Sequence, residues 1–305
     1  MDKIYCNSFF IELSLKDYNN LPYIDFNFCC QRYVKLLSYP LEDVCKDFDY
    51  YIDRCHEMIA KNEICKKCNK YSGFDITDRE RLAVSIAVSL ICSQNCSFCG
   101  RRNYRTTEAN KYNKFKNWCS DKLLEAVSNS KHVITVVPSS IGEPFEDPYI
   151  KNTFVFNLHK SNIKHIIFLT NAVHAEDIEY LKKLKNYLDE HNIKARFSIN
   201  CSGLSRRVYE SYCTSNFKRV KRNIKNIYDV FGDCFIIHYI VSKHNEHLPR
   251  KKICKQFKIT FPYLKLKNLD ICLDYTYFTT VESYTKACDR YLRKDKRITD
   301  LKYQK

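Results

Sequence analysis

Three closely spaced cysteines constrain this chain more than any other feature. Cys92, Cys96 and Cys99 follow the pattern C-x3-C-x2-C, directly after the apolar, β-branched run 82–91. Three thiolates on one short loop can bind three irons of a [4Fe–4S] cube, which leaves the fourth iron open to a small molecule. Structural zinc usually needs four closed ligands, often from two C-x2-C turns. The spacing therefore predicts an open iron–sulfur site.

This loop resembles the cluster loop of the radical S-adenosylmethionine (SAM) superfamily, both in its cysteines and in the aromatic Phe98 before the last one. The resemblance implies that the amino and carboxylate groups of SAM chelate the open iron. It also implies that one electron from the reduced cluster cleaves SAM to a 5′-deoxyadenosyl radical. A flavodoxin or a ferredoxin is the expected electron donor.

From residue 81 onward, predicted strands and helices alternate, which is typical of parallel α/β architecture. We expect strands at 81–91, 132–137, 165–170, 194–200, 234–241 and 269–277. Among the helices we expect 147–160, a single long basic helix at 205–230 and a last helix at 281–294. The resemblance implies the same fold class, a partial (β/α)6 TIM-like barrel. We assign residues 81–305 to it, after a small Cys-rich α+β module at 1–80.

In such barrels the chemistry lies where strands end and loops begin. After the second predicted strand comes Gly142-Glu143-Pro144, in which a glycine allows close backbone approach and a carboxylate can hold an ammonium. This triplet looks like the family's "GGE" motif with Ile141 in place of the first glycine. The resemblance implies that it binds the amino group of SAM.

Polar or small residues follow the later strands as well. The resemblance implies that the SAM pocket is lined by Thr170, Asn171, Ser198, Asn200 and Val241. For Thr170 and Asn171, a helix N-cap explains the residue types equally well.

The histidines and cysteines of the barrel region have plainer interpretations. The strand histidines His132, His165 and His238 are interpreted as core-edge residues rather than ligands. Cys201 and Cys213 have no close cysteine neighbours in sequence and are predicted to be buried free thiols, of which Cys201 is the nearer to the site.

The N-terminal module carries a second candidate metal site. Cys65 and Cys68 form a C-x2-C pair. Their possible partners are Cys29, Cys30, Cys45 and Cys55, of which Cys30 and Cys55 are our choice. The order of a strand, a cysteine pair, a helix and C-x2-C resembles the SPASM or "twitch" auxiliary-cluster modules of radical SAM maturases, although those usually follow the barrel. A second Fe–S cluster, a structural zinc and unligated thiols all remain open for this site.

Charge and cysteine usage bear on partners and compartment. The chain has a formal net charge of +16, and residues 201–305 hold 23 Lys/Arg against 10 Asp/Glu, a net of +13. This bias favours an anionic partner, or else lysine-rich solvated helix faces. The N-terminus lacks a signal-peptide pattern, and the longest apolar run, 82–92, is too short to span a membrane. We therefore expect a cytoplasmic protein without a membrane partner.

The leading functional interpretation is a radical SAM enzyme that acts on a peptide or protein, as in the maturation of ribosomally made peptides. An RNA-modifying radical SAM enzyme is the first alternative, since a basic surface also suits RNA. A zinc-bound, basic nucleic-acid-binding module that does no chemistry is the alternative from a different class.

Overall fold

The computed structural model describes residues 10–15, 22–27, 37–61, 82–85, 91–96, 99, 108–132, 134–139, 142–201, 203–242, 245–273 and 290. Its strands are β1 (Phe10–Leu15), β2 (Pro22–Asn27), β3 (Leu37–Pro40), β4 (Leu82–Ser85), β5 (Ile134–Val137), β6 (Ile163–Thr170), β7 (Lys194–Asn200), β8 (Phe235–Val241) and β9 (Leu269–Leu273). Its α-helices are α1 (Leu41–Lys46), α2 (Phe48–Lys61), α3 (Glu108–Ser128), α4 (Ile178–Glu190), α5 (Arg206–Tyr212), α6 (Phe217–Phe231) and α7 (Arg250–Thr260).

The chain forms two compact units. The first contains residues 1–92, 103–169 and 186–196, and the second contains residues 93–102, 170–185 and 197–305. From β4 to β9, six strands alternate with five helical segments, which confirms the predicted strand and helix alternation as far as β9. The last predicted helix, 281–294, lies outside the described residues apart from Arg290.

In the first unit the strands follow the order β3-β2-β1-β4-β5-β6. β1 runs antiparallel to β2 and parallel to β4, and β4, β5 and β6 are parallel to one another. The N-terminal strands therefore extend the edge of the parallel sheet. The predicted module boundary at residue 80 stays a prediction, because residues 62–81 lie outside the described part.

The helices of the first unit cover its strands with apolar side chains. Ile134 and Val136 of β5 are fully buried, as are Leu123 and Val127 of α3. The predicted helix at 147–160 is wrong in type: it forms a π-helical turn, Ile150–Phe154, followed by a 3-10 helix, Val155–Lys160.

In the second unit β7, β8 and β9 are parallel neighbours. Every second residue of β8 from Phe235 to Val241 is buried, and the residues between them are half-buried. Phe231 of α6 packs against Phe197 of β7 at 4.7 Å between ring centroids, and Tyr228 packs against Phe235. Since the strands are pleated, α6 covers one face of these strands and the alternate residues form the other face.

The predicted single helix at 205–230 is also wrong, because the structure divides it into α5 and α6. Asn216 lies in the break and caps α6, where its side-chain oxygen accepts hydrogen bonds from the backbone N–H groups of Lys218 and Arg219. This N-cap satisfies donors that would otherwise lack a partner, and so favours a new helix start at this point. The break, residues 213–216, contacts the cysteine loop.

Candidate functional site

The cysteine loop exposes its thiols in part. Cys92, Cys96 and Cys99 are each half-buried, and all cysteines whose side chains the structure describes are free. The backbone N–H of Cys99 donates to the carbonyl of Cys96 at 3.2 Å, so the backbones of these two ligand candidates lie in contact. Phe98 lies outside the described residues. Each of the three candidate thiols is therefore partly accessible to solvent.

The donor set fits a [4Fe–4S] cluster, which binds to proteins through cysteine thiolates. Within the described ranges, the side chains of no three Cys, His, Asp or Glu residues converge as a finished metal site does.

The second unit fixes the middle of this loop through the break between α5 and α6. The side-chain oxygen of Gln94 accepts from the backbone N–H of Ser215 at 3.0 Å, and the backbone N–H of Asn95 donates to the Thr214 hydroxyl at 3.3 Å. Gln94 itself is buried. These bonds hold the two residues that precede Cys96, so the position of this part of the loop is fixed against the break.

Cys213 in the same break lies against a ligand candidate. Its Sγ is 3.5 Å from Sγ of Cys96. The side chain of Cys213 is buried, as predicted, but the contact was not foreseen. The two residues are 117 positions apart, so no spacing pattern could have revealed it.

In the first unit, a backbone hydrogen bond joins the Gly142-Glu143-Pro144 turn to Ile91, the residue before Cys92. The backbone N–H of Glu143 donates to the carbonyl of Ile91 at 2.8 Å. Glu143 is 1% exposed, and its carboxylate accepts a hydrogen bond from the backbone N–H of Phe145 at 3.2 Å. A buried carboxylate at this turn is a strong acceptor for a cationic group.

Thr170 and Asn171 shape the turn after β6. The Thr170 hydroxyl accepts from the backbone N–H of Ala172, and the Asn171 side chain accepts from the backbone N–H of Val173. Both side chains thus stabilise this turn and do not form the helix N-cap that the sequence allowed, because α4 begins only at Ile178. Their contact with SAM remains a prediction.

Asn223 of α6 holds this turn and was missed in the sequence. Its buried side chain donates to the carbonyls of Ala172 and Val173, each at 2.9 Å. It lies among the buried positions of an amphipathic helix, and a polar residue there is the signal that could have identified it.

The remaining predicted residues lie at or near strand ends. Val241 is buried at the end of β8, and Asn200 is exposed at the end of β7. Ser198, two residues earlier, has its hydroxyl 2.7 Å from Nε2 of His238. Ser198 and Asn200 lie on one face of β7, as alternation along a strand predicts, and their contact with SAM stays a prediction.

The buried thiols outside the loop differ from those within it. Burial raises the pKa of the Cys201 thiol to about 12 and that of the Cys119 thiol to about 12. Burial also raises the pKa of the Cys55 thiol, and Cys55 is fully buried in α2. Its proposed partners Cys30, Cys65 and Cys68 lie outside the described residues, so the auxiliary site stays a prediction.

The sequence profile of the radical SAM superfamily matches residues 86–250, more than half of the chain. The chain therefore belongs to the radical SAM superfamily, whose members use a [4Fe–4S] cluster and SAM. This membership favours the enzyme over the zinc-bound module. None of the curated proteins matches the chain in sequence.

Solved structures of similar fold include one described as native anSMEcpe with bound AdoMet. It has a TM-score of 0.50 and 16% identity over 72% of this chain and 60% of that chain. The fold is accordingly the α/β partial (β/α)6 barrel that was predicted.

Streptococcus suis SuiB has a TM-score of 0.42 and 14% identity over 86% of this chain and 61% of its own. SuiB bound to its precursor peptide SuiA has the same TM-score and identity over 90% and 63%. The chain thus spans about three fifths of the length of the solved structures that it matches. In the described part of the chain, no helix is long and apolar enough to cross a membrane.

Proposed function

We propose that this protein is a radical SAM enzyme whose cluster is held by Cys92, Cys96 and Cys99. The observation that carries the proposal is three half-exposed thiols on one loop, within the region that matches the superfamily. A [4Fe–4S] cluster held by these three thiols would supply the electron that cleaves SAM to a 5′-deoxyadenosyl radical, which would abstract hydrogen from the substrate.

The chain's own residues bind and orient. The buried Glu143 carboxylate receives the ammonium of SAM, and the hydrogen bond from the Glu143 backbone to Ile91 holds that backbone beside the residue before Cys92. Thr170, Asn171, Ser198, Asn200 and Val241 are proposed to line the rest of the cofactor pocket. Gln94 and Asn95 hold the segment before Cys96 in place through their hydrogen bonds with Ser215 and Thr214.

A peptide or protein is the proposed substrate. The support is the basic surface of the second unit, where α6 exposes Lys218, Lys221, Arg222 and Lys225. α7 adds exposed lysines at 251, 252, 255 and 258. Such a surface suits an acidic leader segment, because opposite charge steers and orients an approaching partner. A flavodoxin or ferredoxin is the proposed reductant, and the reducing cytoplasm the proposed compartment.

The test is anaerobic purification and reconstitution, followed by incubation with SAM and dithionite. We expect about four iron per chain, or about eight if the N-terminal cysteines also hold a cluster, together with 5′-deoxyadenosine. A colourless protein that holds only zinc and yields no 5′-deoxyadenosine would refute the proposal.

The substrate class is tested separately by binding. We expect an acidic peptide to bind the intact protein and a reversal of charge on Lys218, Lys221 and Arg222 to weaken it. High affinity for RNA with a steep dependence on salt, and none for the peptide, would favour the RNA-modifying alternative.

A further inference from the structure

Three polar side chains in the second unit form a continuous hydrogen-bonded chain. The Ser198 hydroxyl is 2.7 Å from Nε2 of His238, and Nδ1 of His238 is 3.0 Å from Oδ2 of Asp270. One imidazole thus joins a hydroxyl on one ring nitrogen to a carboxylate on the other.

The strand register produces this chain. Ser198 lies on β7, His238 on β8 and Asp270 on β9, and His238 stands directly opposite Asp270 in the parallel pairing of β8 with β9. Phe197 and Phe235 face α6, so the alternation of side chains along β7 and β8 places Ser198 and His238 on the opposite face. Asp270 shares that face because it pairs with His238.

This face is accessible. The His238 side chain is 23% exposed and that of Asp270 is 55% exposed, while Asn200, opposite His238 in the neighbouring strand, is also exposed. The core of the unit does not need this polar chain to satisfy deeply buried groups, since water reaches both His238 and Asp270. A chemical role is therefore the better account of its ordered geometry.

The chemistry of the arrangement follows from the donors and acceptors. A carboxylate at Nδ1 accepts the ring N–H, which fixes the tautomer and leaves the lone pair of Nε2 toward Ser198. The Ser198 hydroxyl then donates to Nε2. When Nε2 takes that proton, the carboxylate of Asp270 stabilises the imidazolium.

We propose that Ser198, His238 and Asp270 form a proton-transfer site that accepts one proton from a hydroxyl, thiol or amide group of the peptide substrate. The substrate proton goes to Oγ of Ser198 as the serine proton passes to Nε2 of His238. No electron moves in this step, and its products are a substrate one proton poorer and an imidazolium paired with Asp270. The inference rests on the proposed function, since it assumes a substrate that loses a proton as well as a hydrogen atom.

A fluorophosphonate probe tests the site, because it reacts with serine oxygens whose proton a base removes. The intact protein is treated with the probe and the labelled serines are mapped by mass spectrometry. We expect Ser198 to react at least about tenfold faster than Ser211, an exposed serine on α5, and His238→Gln to lower the Ser198 rate about 100-fold. Asp270→Asn should lower it by a smaller factor. Asp233→Asn, which removes a carboxylate that precedes β8 and is paired with Lys267, should leave the rate unchanged.

Nitrogen NMR of histidine-labelled wild-type protein gives a second measurement that needs no variant to fold. We expect His238 as the Nδ1–H tautomer. Labelling of Ser198 no faster than Ser211, an unchanged rate in His238→Gln, or His238 as the Nε2–H tautomer would each overturn the inference. Iron content and 5′-deoxyadenosine formation report on the proposed function separately, so a wild-type protein that passes those assays and fails here refutes the proton-transfer site alone.

Discussion

The cysteines of the loop and those of the core have the same side chain in opposite surroundings. Cys92, Cys96 and Cys99 are half-buried on a loop, whereas Cys119 and Cys201 are buried among helices and strands, where burial raises the pKa of each thiol to about 12. A metal ligand must be a thiolate that can reach the metal, so a buried thiol with a raised pKa is poorly suited. The comparison teaches that the position of a cysteine, rather than the number of cysteines, selects the ligands of the proposed metal site.

The largest difference is expected in the rates at which the loop and core thiols are alkylated. At pH 8 a thiol of pKa about 12 is ionised to about one part in ten thousand, against roughly a quarter for an ordinary cysteine, so core thiols should alkylate about a thousandfold more slowly. Iodoacetamide treatment of the folded, cluster-free protein followed by peptide mapping measures this. Denatured protein, in which all cysteines react, is the control. Equal alkylation rates for Cys201 and the loop cysteines would contradict the difference in surroundings that we assign to the two groups.

Removal of a loop thiol should abolish the cluster. Cys92→Ala, Cys96→Ala and Cys99→Ala should each lower 5′-deoxyadenosine formation at least about 100-fold and reduce bound iron, because a cluster bound by two thiols is not retained. Cys119→Ala and Cys201→Ala are the matched controls and should keep their iron. Turnover that survives Cys96→Ala would place the site elsewhere.

Glu143→Gln should separate binding of SAM from binding of iron. It replaces a buried carboxylate that hydrogen-bonds the Phe145 N–H by a neutral amide of similar shape. Loss of a charge-assisted bond costs about 1.5–3 kcal/mol, so SAM affinity should fall about 10- to 100-fold while the iron content stays unchanged. Equilibrium binding of SAM to the reconstituted protein measures it, with Glu146→Gln as the control. Unchanged affinity would remove Glu143 from the site.

Asn223→Ala should destabilise the second unit without touching any thiol. The buried amide donates to the Ala172 and Val173 carbonyls, and leaving buried acceptors unsatisfied costs about 1–3 kcal/mol. Urea unfolding of the cluster-free protein measures the change. Asn226→Ala, at a half-buried position of the same helix, should cost less than about 0.5 kcal/mol. Similar values for the two variants would contradict the assigned role.

The smallest effect on cluster binding is expected for substitution of Cys213, which shares features with both groups of cysteines. It is buried like a core cysteine but lies 3.5 Å from the Cys96 sulfur. Since three loop thiols suffice for an open-iron cluster, Cys213→Ala should retain iron within about twofold of wild type. Loss of the cluster in this variant would show that Cys213 is needed for cluster binding and would place it with the loop cysteines.

The sequence predicted the parts of the fold that depend on local pattern. Apolar strands and amphipathic helices identified the alternation of strands and helices as far as β9, and close spacing identified the thiols of the loop. The break at 213–216 was not predicted, because apolar residues at helical spacing continue on both sides, as in Tyr209, Tyr212, Phe217 and Val220, and no glycine or proline interrupts them.

Contacts made by the tertiary structure could not be predicted from one sequence. The Cys96–Cys213 contact depends on a turn that meets the loop across 117 residues. The hydrogen bonds that join Ser198, His238 and Asp270 depend on the register of three strands. If one strand shifted by one residue along its neighbour, its side chain would point to the other face of the sheet. His238 was therefore interpreted as a core-edge residue, and its two partners were not foreseen.

The central claim is that the half-exposed loop thiols leave one iron open to SAM. Electron paramagnetic resonance of the reconstituted, dithionite-reduced protein tests it most directly, with spectra recorded before and after addition of SAM. The account predicts a [4Fe–4S]⁺ signal that changes shape when SAM binds the open iron, and no such signal in Cys96→Ala. A wild-type cluster signal that SAM leaves unaltered, or one that persists in Cys96→Ala, would contradict it.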